Sequence, residues 1–152
     1  MVRGFFGVIA GCIVLSILLF AGMSAAFVGM GTEGAFKPES YDVTTKWTLV
    51  AVGVWFLAAI LGGYTCAAIA RSCRAPLVLA CFVLVFSILL AIPAMMTGEQ
   101  EVKIRDAEVS NFDAFKEAKT PAWIALLNPL IGAAGVMAGG RLRGTRGAVA
   151  PK

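Results

Sequence analysis

The sequence predicts an all-α integral membrane protein, built as a bundle of four transmembrane helices. Of its 152 residues, 59% are hydrophobic and only 14% are charged, whereas soluble domains average about 45–50% apolar and about 25% charged residues. The mean hydropathy is +0.86. Four uncharged stretches reach the length of about 20 residues that a helix needs to cross the hydrocarbon core of a bilayer; they are residues 5–28, 47–70, 76–96 and 121–140.

Charged residues outside these stretches predict which way the helices face. The segments 1–4, 71–75 and 141–152 carry 7 basic residues and no acidic residue, while 31–46 and 97–120 carry 6 basic and all 9 acidic residues. Lys and Arg concentrate in short cytoplasmic segments. We therefore expect both termini to be cytoplasmic, with residues 31–46 and 97–120 as outer loops.

This division makes residues 1–142 a single transmembrane domain and residues 143–152 a flexible, basic cytoplasmic tail. The pI is about 9.1, but the basic residues lie beside the span ends, where they fix topology and meet anionic lipid. The expected partner is the lipid bilayer and not nucleic acid. Arg3, an apolar run and the small residues 24–26 also resemble a cleavable signal peptide. Cleavage would remove the packing partner of the second span, so we expect the first span to be retained.

Residue types that support most catalysis and coupled transport are missing from the spans. The chain has no histidine, which excludes histidine-ligated zinc or haem and Ser–His catalysis. No Asp, Glu, Lys or Arg lies inside a span, although such residues usually mark proton relays and ion coupling. Cys12, Cys66, Cys73 and Cys81 show no Cys-x-x-Cys spacing. We expect a protein that is not an enzyme and that binds no metal or cofactor.

A weak internal repeat predicts two similar helical hairpins. Ser16–Leu19 aligns with Ser87–Leu90 at an offset of 71, and Ile60–Gly63 aligns with Leu130–Ala133 at an offset of 70. Each unit contains two spans, so both units enter the membrane from the same side, as parallel repeats. The expected arrangement is a pair of hairpins around a pseudo-two-fold axis along the membrane normal.

Small residues predict where the helices touch, because helices in lipid associate through close backbone approach. The first and fourth spans each carry a Gly-x-x-x-Gly pair, Gly7 with Gly11 and Gly135 with Gly139. The second span carries two adjacent rows of small residues spaced four apart; the first row is Ala58, Gly62, Cys66 and Ala70, and the second is Ala59, Gly63 and Ala67. We expect spans one, two and four to pack tightly, and the bulkier third span to face lipid or a second subunit. The alternative is that the glycines line a substrate path.

Asn128 and Tyr64 are the candidate polar site residues within the spans. Asn128 precedes Pro129, which frees a carbonyl in the preceding turn. The Asn128 amide would cap that carbonyl or bond to another helix; the alternative is that it faces a wet outer cavity. Tyr64 lies deep in the second span and needs a partner such as Thr65 or a backbone carbonyl. Trp47 begins the same span and is expected to anchor it at the outer interface.

Residues 62–71 (GGYTCAAIAR) and 139–141 (GGR) end the second and fourth spans. These ends resemble those of small bacterial four-span inner-membrane proteins of uncharacterised function. The resemblance implies a bacterial inner membrane and no particular activity. We expect a non-enzymatic, multi-pass integral membrane protein that packs with itself, as a homo-oligomer, or with membrane-protein partners. The alternative is a passive pore or facilitator for a small solute.

Overall fold

The computed structural model describes residues 2–36, 43–72, 74–96 and 122–148. Within these ranges the chain forms four helices, α1 (Val2–Ala35), α2 (Thr45–Ala70), α3 (Arg74–Met96) and α4 (Ala122–Ala148). The predicted all-α architecture with four helices is therefore confirmed. The predicted outer loop 97–120 and residues 37–42 of the first loop lie outside the described residues.

Two helices extend beyond their predicted ends. α1 continues past residue 28 to Ala35 and breaks its helical geometry at Gly31 (φ 66°, ψ 176°), a positive φ that glycine adopts without a steric penalty. α4 continues past residue 140 to Ala148, so the predicted flexible tail is helical over residues 143–148. Arg141, Leu142 and Arg143 are good helix formers, and the next proline is Pro151, so nothing ends the helix at the predicted position.

α2 is the central helix of the bundle. It packs most extensively against α1 and α4, while α3 packs chiefly on α4 and makes smaller contacts with α1 and α2. Contacts of Gly7 with Ala70 and of Gly22 with Val54 show that α1 and α2 run antiparallel. α4 lies parallel to α2, because Gly132 contacts Trp55 and, further along, Gly139 contacts Ile60.

The contact between α1 and α2 is a close approach of two backbones. A Cβ added at Gly11 would lie 2.9 Å from the Gly62 carbonyl oxygen, and a Cβ added at Gly62 would lie 3.0 Å from the Gly11 carbonyl oxygen. One turn away, a Cβ at Gly7 would lie 2.9 Å from the Cys66 carbonyl oxygen. The row of α2 that contains Gly62, Cys66 and Ala70 therefore faces α1.

The second row of α2 faces α4, again with the two backbones close together. A Cβ at Gly63 would overlap the Val136 carbonyl and lie 2.7 Å from Val136 Cα, and a Cβ at Gly139 would overlap the Ile60 carbonyl. One turn away, a Cβ at Gly135 would lie 2.7 Å from Ala59 Cβ.

The contacts between α2 and α4 are reciprocal. Gly63 contacts Val136 while Gly139 contacts Ile60, so a shift of 76 positions relates the two contacting pairs. The internal repeat at offsets of 70 and 71 is a separate relation between the two hairpins and stays a prediction. Steric fit selects a register in which each helix presents a glycine to the other's carbonyl.

α3 buries one side and exposes the other. Ala75, Leu79, Ala80 and Val83 are buried, and Pro76 lies against Gly140 of α4. Large apolar side chains, namely Leu77, Val78, Phe82, Val85, Phe86, Ile88 and Leu89, are exposed on the opposite side. This exposed surface is what the bulky composition of the third span predicts.

The outer ends of α1 and α2 are joined by an aromatic cluster and a cap. Phe27, Phe36 and Trp47 pack edge to face, and Phe27 and Trp47 have ring centroids 5.7 Å apart. Trp47 is only 5% exposed, which leaves its ring little surface for contact with a membrane interface; its role as an anchor there stays a prediction. Its ring instead packs between the ends of two helices, because α1 extends beyond Gly31 and covers it.

Thr44 fixes the start of α2. Its hydroxyl accepts a hydrogen bond from the Trp47 N–H at 3.1 Å and donates one to the Gly34 carbonyl at 2.6 Å. The Thr44 N–H donates to the Ala35 carbonyl at 2.9 Å. One residue therefore caps α2 and ties it to the end of α1.

Among the described residues, two helices are long and apolar enough to cross a membrane, Val2–Gly31 within α1 and Thr45–Ala70 of α2. α3 contributes a shorter apolar stretch, Arg74–Leu89.

The glycine contacts predict a difference between two substitutions on the same helix. Gly63→Ala should lower the free energy of unfolding by about 1–3 kcal/mol, because the new methyl group meets a backbone carbonyl that cannot rotate away. Gly53 has no atom within 4 Å of an added Cβ, so Gly53→Ala should be neutral or stabilising by up to about 1 kcal/mol. Thermal unfolding in mild detergent measures both. Equal effects of the two substitutions would contradict the α2–α4 contact.

A second prediction concerns the Thr44 cap. Thr44→Val keeps the side-chain shape but removes both hydroxyl bonds, and should cost about 1–2 kcal/mol of stability. Thr44→Ser retains the hydroxyl and should stay close to the original protein. Chemical denaturation in mixed micelles compares the three proteins, and a Ser variant as unstable as the Val variant would argue against the cap.

Candidate functional site

The seven residues predicted for helix packing lie between the helices. Gly7, Gly11 and Gly62 lie at the α1–α2 contact, while Gly63, Gly135 and Gly139 lie at the α2–α4 contact. Ala67 is buried, with 9% of its surface exposed. Each of the six glycines has atoms of another helix close to the position of a side chain, so these positions are occupied by neighbouring helices.

Three further glycines make similar contacts that the sequence analysis did not single out for packing. Added Cβ atoms at Gly22, Gly132 and Gly140 would lie 2.6–2.8 Å from Val54, Trp55 and Pro76, respectively. Gly22 and Gly132 belong to no Gly-x-x-x-Gly pair, and the pair that Gly140 forms with Gly144 lies at the end of the predicted span. Each instead accommodates one bulky side chain from a neighbouring helix.

Asn128 takes part in a hydrogen bond between helices, but through its backbone. Trp55 Nε1 of α2 donates to the Asn128 carbonyl oxygen at 3.0 Å. The indole reaches this carbonyl because Gly132, one turn later, has no side chain. The Asn128 amide itself has no hydrogen bond to any residue that the structure describes, so the predicted bond from its side chain is not found there. The sequence identified the position but not the atom.

Tyr64 lies beside the α2–α4 contact. Its backbone nitrogen would be 2.8 Å from a Cβ at Gly139, and its side chain is half-buried. The Thr65 hydroxyl, a partner expected for Tyr64, donates instead to the Leu61 carbonyl at 2.8 Å. Asn128 and Tyr64 therefore contact different parts of the α2–α4 interface, and the structure does not bring them together as one site.

The described residues form an apolar groove of about 860 Å³ between α1 and α3. We call it the α1–α3 groove. Side chains of α1 and α3 line it along its length, and Ser72 and Arg74 lie at one end; the other lining residues are Gly4, Phe5, Val8, Ile9, Cys12, Ile13, Ala75, Val78 and Phe82. This volume falls within the range of about 300–1,000 Å³ that is typical of small-molecule sites.

The groove runs alongside the contact between α1 and α3. The two helices meet at Gly11 and Leu79, where a Cβ at Gly11 would lie 2.8 Å from Leu79 Cδ2. On another side, α3 packs on α4 through Pro76 and Gly140. The groove positions of α1, such as Phe5, Val8 and Ile9, are bulky and do not favour a close approach of the two backbones.

The polar end of the groove coincides with the turn between α2 and α3. Arg71 ends α2 in the left-handed conformation (φ 49°, ψ 36°), and its N–H donates to the Ala67 carbonyl. Ser72 Oγ accepts a hydrogen bond from the Arg74 N–H at 3.3 Å. The Arg71 and Arg74 side chains are exposed, and two guanidinium groups therefore project from this turn.

In the described part of the chain, no three His, Cys, Asp or Glu side chains lie close enough together to hold a metal ion. The described residues thus form a four-helix bundle. Its helices pack with their backbones close together, and one end of the bundle is rich in arginine. Comparison of the chain with protein-family models, curated proteins and solved structures finds no match.

The Trp55–Asn128 hydrogen bond predicts that substitutions at its two residues differ in their effect on stability. Trp55→Phe removes the donor and part of the ring, and should cost about 1–2 kcal/mol of stability, since hydrogen bonds between helices in membranes average about 0.6 kcal/mol and reach about 1.7. Asn128→Leu keeps the backbone acceptor and should change stability by less than about 0.5 kcal/mol. Thermal unfolding in detergent compares the two. A larger loss for Asn128→Leu would show that the amide side chain carries the contact.

Proposed function

We propose that this protein is a non-enzymatic, multi-pass integral membrane protein whose four helices span the membrane with both termini in the cytoplasm. Its role is structural: the bundle packs in the membrane and presents its surface to lipid, to a second copy or to another membrane protein. The resemblance carried by residues 62–71 supports a bacterial inner membrane as the location.

One observation carries this proposal: the central helix buries mostly small side chains, while many large apolar side chains of the bundle are exposed. The buried surface of α2 consists mostly of residues such as Ala59, Gly63 and Cys66, whereas Phe20 is 77% exposed and Val28 is 78% exposed. A protein in water buries its large apolar side chains and exposes few contiguous apolar patches. Helices in lipid have the opposite distribution, because lipid solvates large apolar groups and close packing favours small ones.

The charges of the described residues support the orientation. Five arginines lie at one end of the bundle, at the start of α1, the turn between α2 and α3, and the end of α4: Arg3, Arg71, Arg74, Arg141 and Arg143. Lys46 lies at the opposite end, at the start of α2. This asymmetry supports a cytoplasmic location for the arginine-rich end.

The glycine contacts support packing over transport. The pore alternative requires glycines that line a path through the bundle. Gly11, Gly63 and Gly139 instead face the backbones of neighbouring helices, so their lack of a side chain is used for helix contact. The exposed side of α3, where Phe82 and Phe86 stack with centroids 5.7 Å apart, is the surface that we assign to lipid or to a partner subunit.

Labelling of single cysteines tests the topology. In a variant without the native cysteines, we expect Cys introduced by Val2→Cys or Arg143→Cys to react with a membrane-impermeant maleimide only after the inner face is exposed. Cys introduced by Lys46→Cys should react from outside in intact cells. All three positions are exposed in the structure, so a difference in labelling reports the membrane and not burial.

Extraction of membranes with alkaline carbonate provides the control for insertion, because an integral protein stays in the pellet. Labelling of positions 2 and 46 from the same side would refute the spanning of α1. Labelling of position 143 from outside would refute the cytoplasmic C-terminal end.

A further inference from the structure

The α1–α3 groove has the dimensions of one membrane leaflet, if the chain spans the membrane as proposed above. On α1 its lining extends from Gly4 to Ile13, which is about 14 Å at 1.5 Å per residue. The hydrocarbon core of a bilayer is about 30 Å thick. The groove therefore begins at the arginine-rich end and reaches about the middle of the bilayer, the depth that an acyl chain of that leaflet occupies.

The lining of the groove matches the two parts of a phospholipid, its apolar chain and its phosphate. Val8, Ile9, Val78 and Phe82 offer an apolar wall along the groove, while Ser72 and Arg74 lie at its mouth. A guanidinium binds a phosphate through two parallel hydrogen bonds, and a hydroxyl can donate a third. A ligand that fits the whole groove therefore has an apolar chain and, at one end of that chain, a phosphate. A phospholipid has both.

The surrounding charge favours an anionic headgroup. Segments 1–4, 71–75 and 141–152, which the topology places on one side, contain 7 basic residues and no acidic residue. Arg3 and Arg71 are exposed near the same end as Arg74. Arg71 also holds a left-handed backbone conformation, which is disfavoured for a residue with a Cβ and not for glycine.

We propose that the α1–α3 groove binds one anionic phospholipid of the arginine-rich leaflet, with an acyl chain between α1 and α3 and the phosphate on Arg74 and Ser72. This site differs from the general lipid contact of the outer helix surfaces, because it holds one molecule in a defined place. It rests on the proposed membrane insertion and goes beyond it.

Native mass spectrometry of the full chain tests the proposal, with the protein purified in mild detergent and supplied with phosphatidylglycerol or phosphatidylcholine. We expect one phosphatidylglycerol per chain, bound at least about fivefold more tightly than phosphatidylcholine. Arg74→Gln should weaken phosphatidylglycerol binding about fivefold, which is the effect of about one basic residue beside an anionic membrane surface. Arg143→Gln, a change at the same end but outside the groove lining, should change it less than about twofold.

A second pair of variants tests the apolar part. Val78→Trp fills the groove and should abolish the single bound lipid. Val85→Trp places the same ring on an exposed position of α3 outside the groove and should leave lipid binding unchanged. Both positions are exposed, so both variants should unfold at the temperature of the original protein, which distinguishes loss of the site from loss of the fold.

Several results would overturn the proposal. Equal binding of the two lipids, or equal effects of Arg74→Gln and Arg143→Gln, would mean a diffuse charge effect and no site. Retention of lipid by Val78→Trp would place the lipid elsewhere. If the original protein is a dimer without a bound lipid and Val78→Trp dissociates it, the occupant of the groove is a second copy of the chain. Failure of the membrane proposal itself would appear separately, as release of the protein by alkaline carbonate.

Discussion

Close approach of backbones along α2 is the constraint on which the rest of the bundle depends. Two adjacent faces of this helix carry small residues, and each face meets a different helix: Gly62 meets Gly11 of α1, and Gly63 meets Val136 of α4. Because these residues are neighbours in sequence, their directions on the helix differ by about 100°. α1 and α4 are thereby placed on two sides of α2, and α3 occupies the space left between them.

The two ends of the bundle differ in how this packing is completed. At one end, Thr44 and the aromatic cluster around Trp47 join α1 to α2 closely. At the other end, α3 packs against α4 through Pro76, and the α1–α3 groove lies between α3 and α1. The open end is also the end with the arginines. Apolar walls and arginine side chains lie together at that end, and the lipid site proposed above rests on this arrangement, while the opposite end joins α1 to α2.

The contacts between helices use shape and few polar groups. Within the part of the chain that the structure describes, no buried side chain is charged or polar, and the Trp55–Asn128 bond is a donor on one helix meeting a backbone carbonyl on another. In the membrane proposed above, dispersion between closely packed backbones and side chains would be the main attraction between helices. A methyl group added at Gly63 or Gly139 would overlap a carbonyl of the neighbouring helix, so we expect it to force the two helices apart.

The sequence by itself determined that the chain is helical, where the four helices lie and which residues of α2 are small enough for contact, because hydropathy and spacing are local properties. It did not determine the register of α2 on α4, because both helices carry several small residues that could meet and only the fit of Gly63 and Gly139 to opposing carbonyls selects one register. It placed Trp47 at an interface, although the extension of α1 beyond Gly31 covers its ring. The acceptor of the Trp55 bond is a backbone atom, which every residue has and no sequence pattern marks. The α1–α3 groove was decided by tertiary structure, because the residues that line it come from two helices about 70 positions apart in the chain and meet only in the folded bundle.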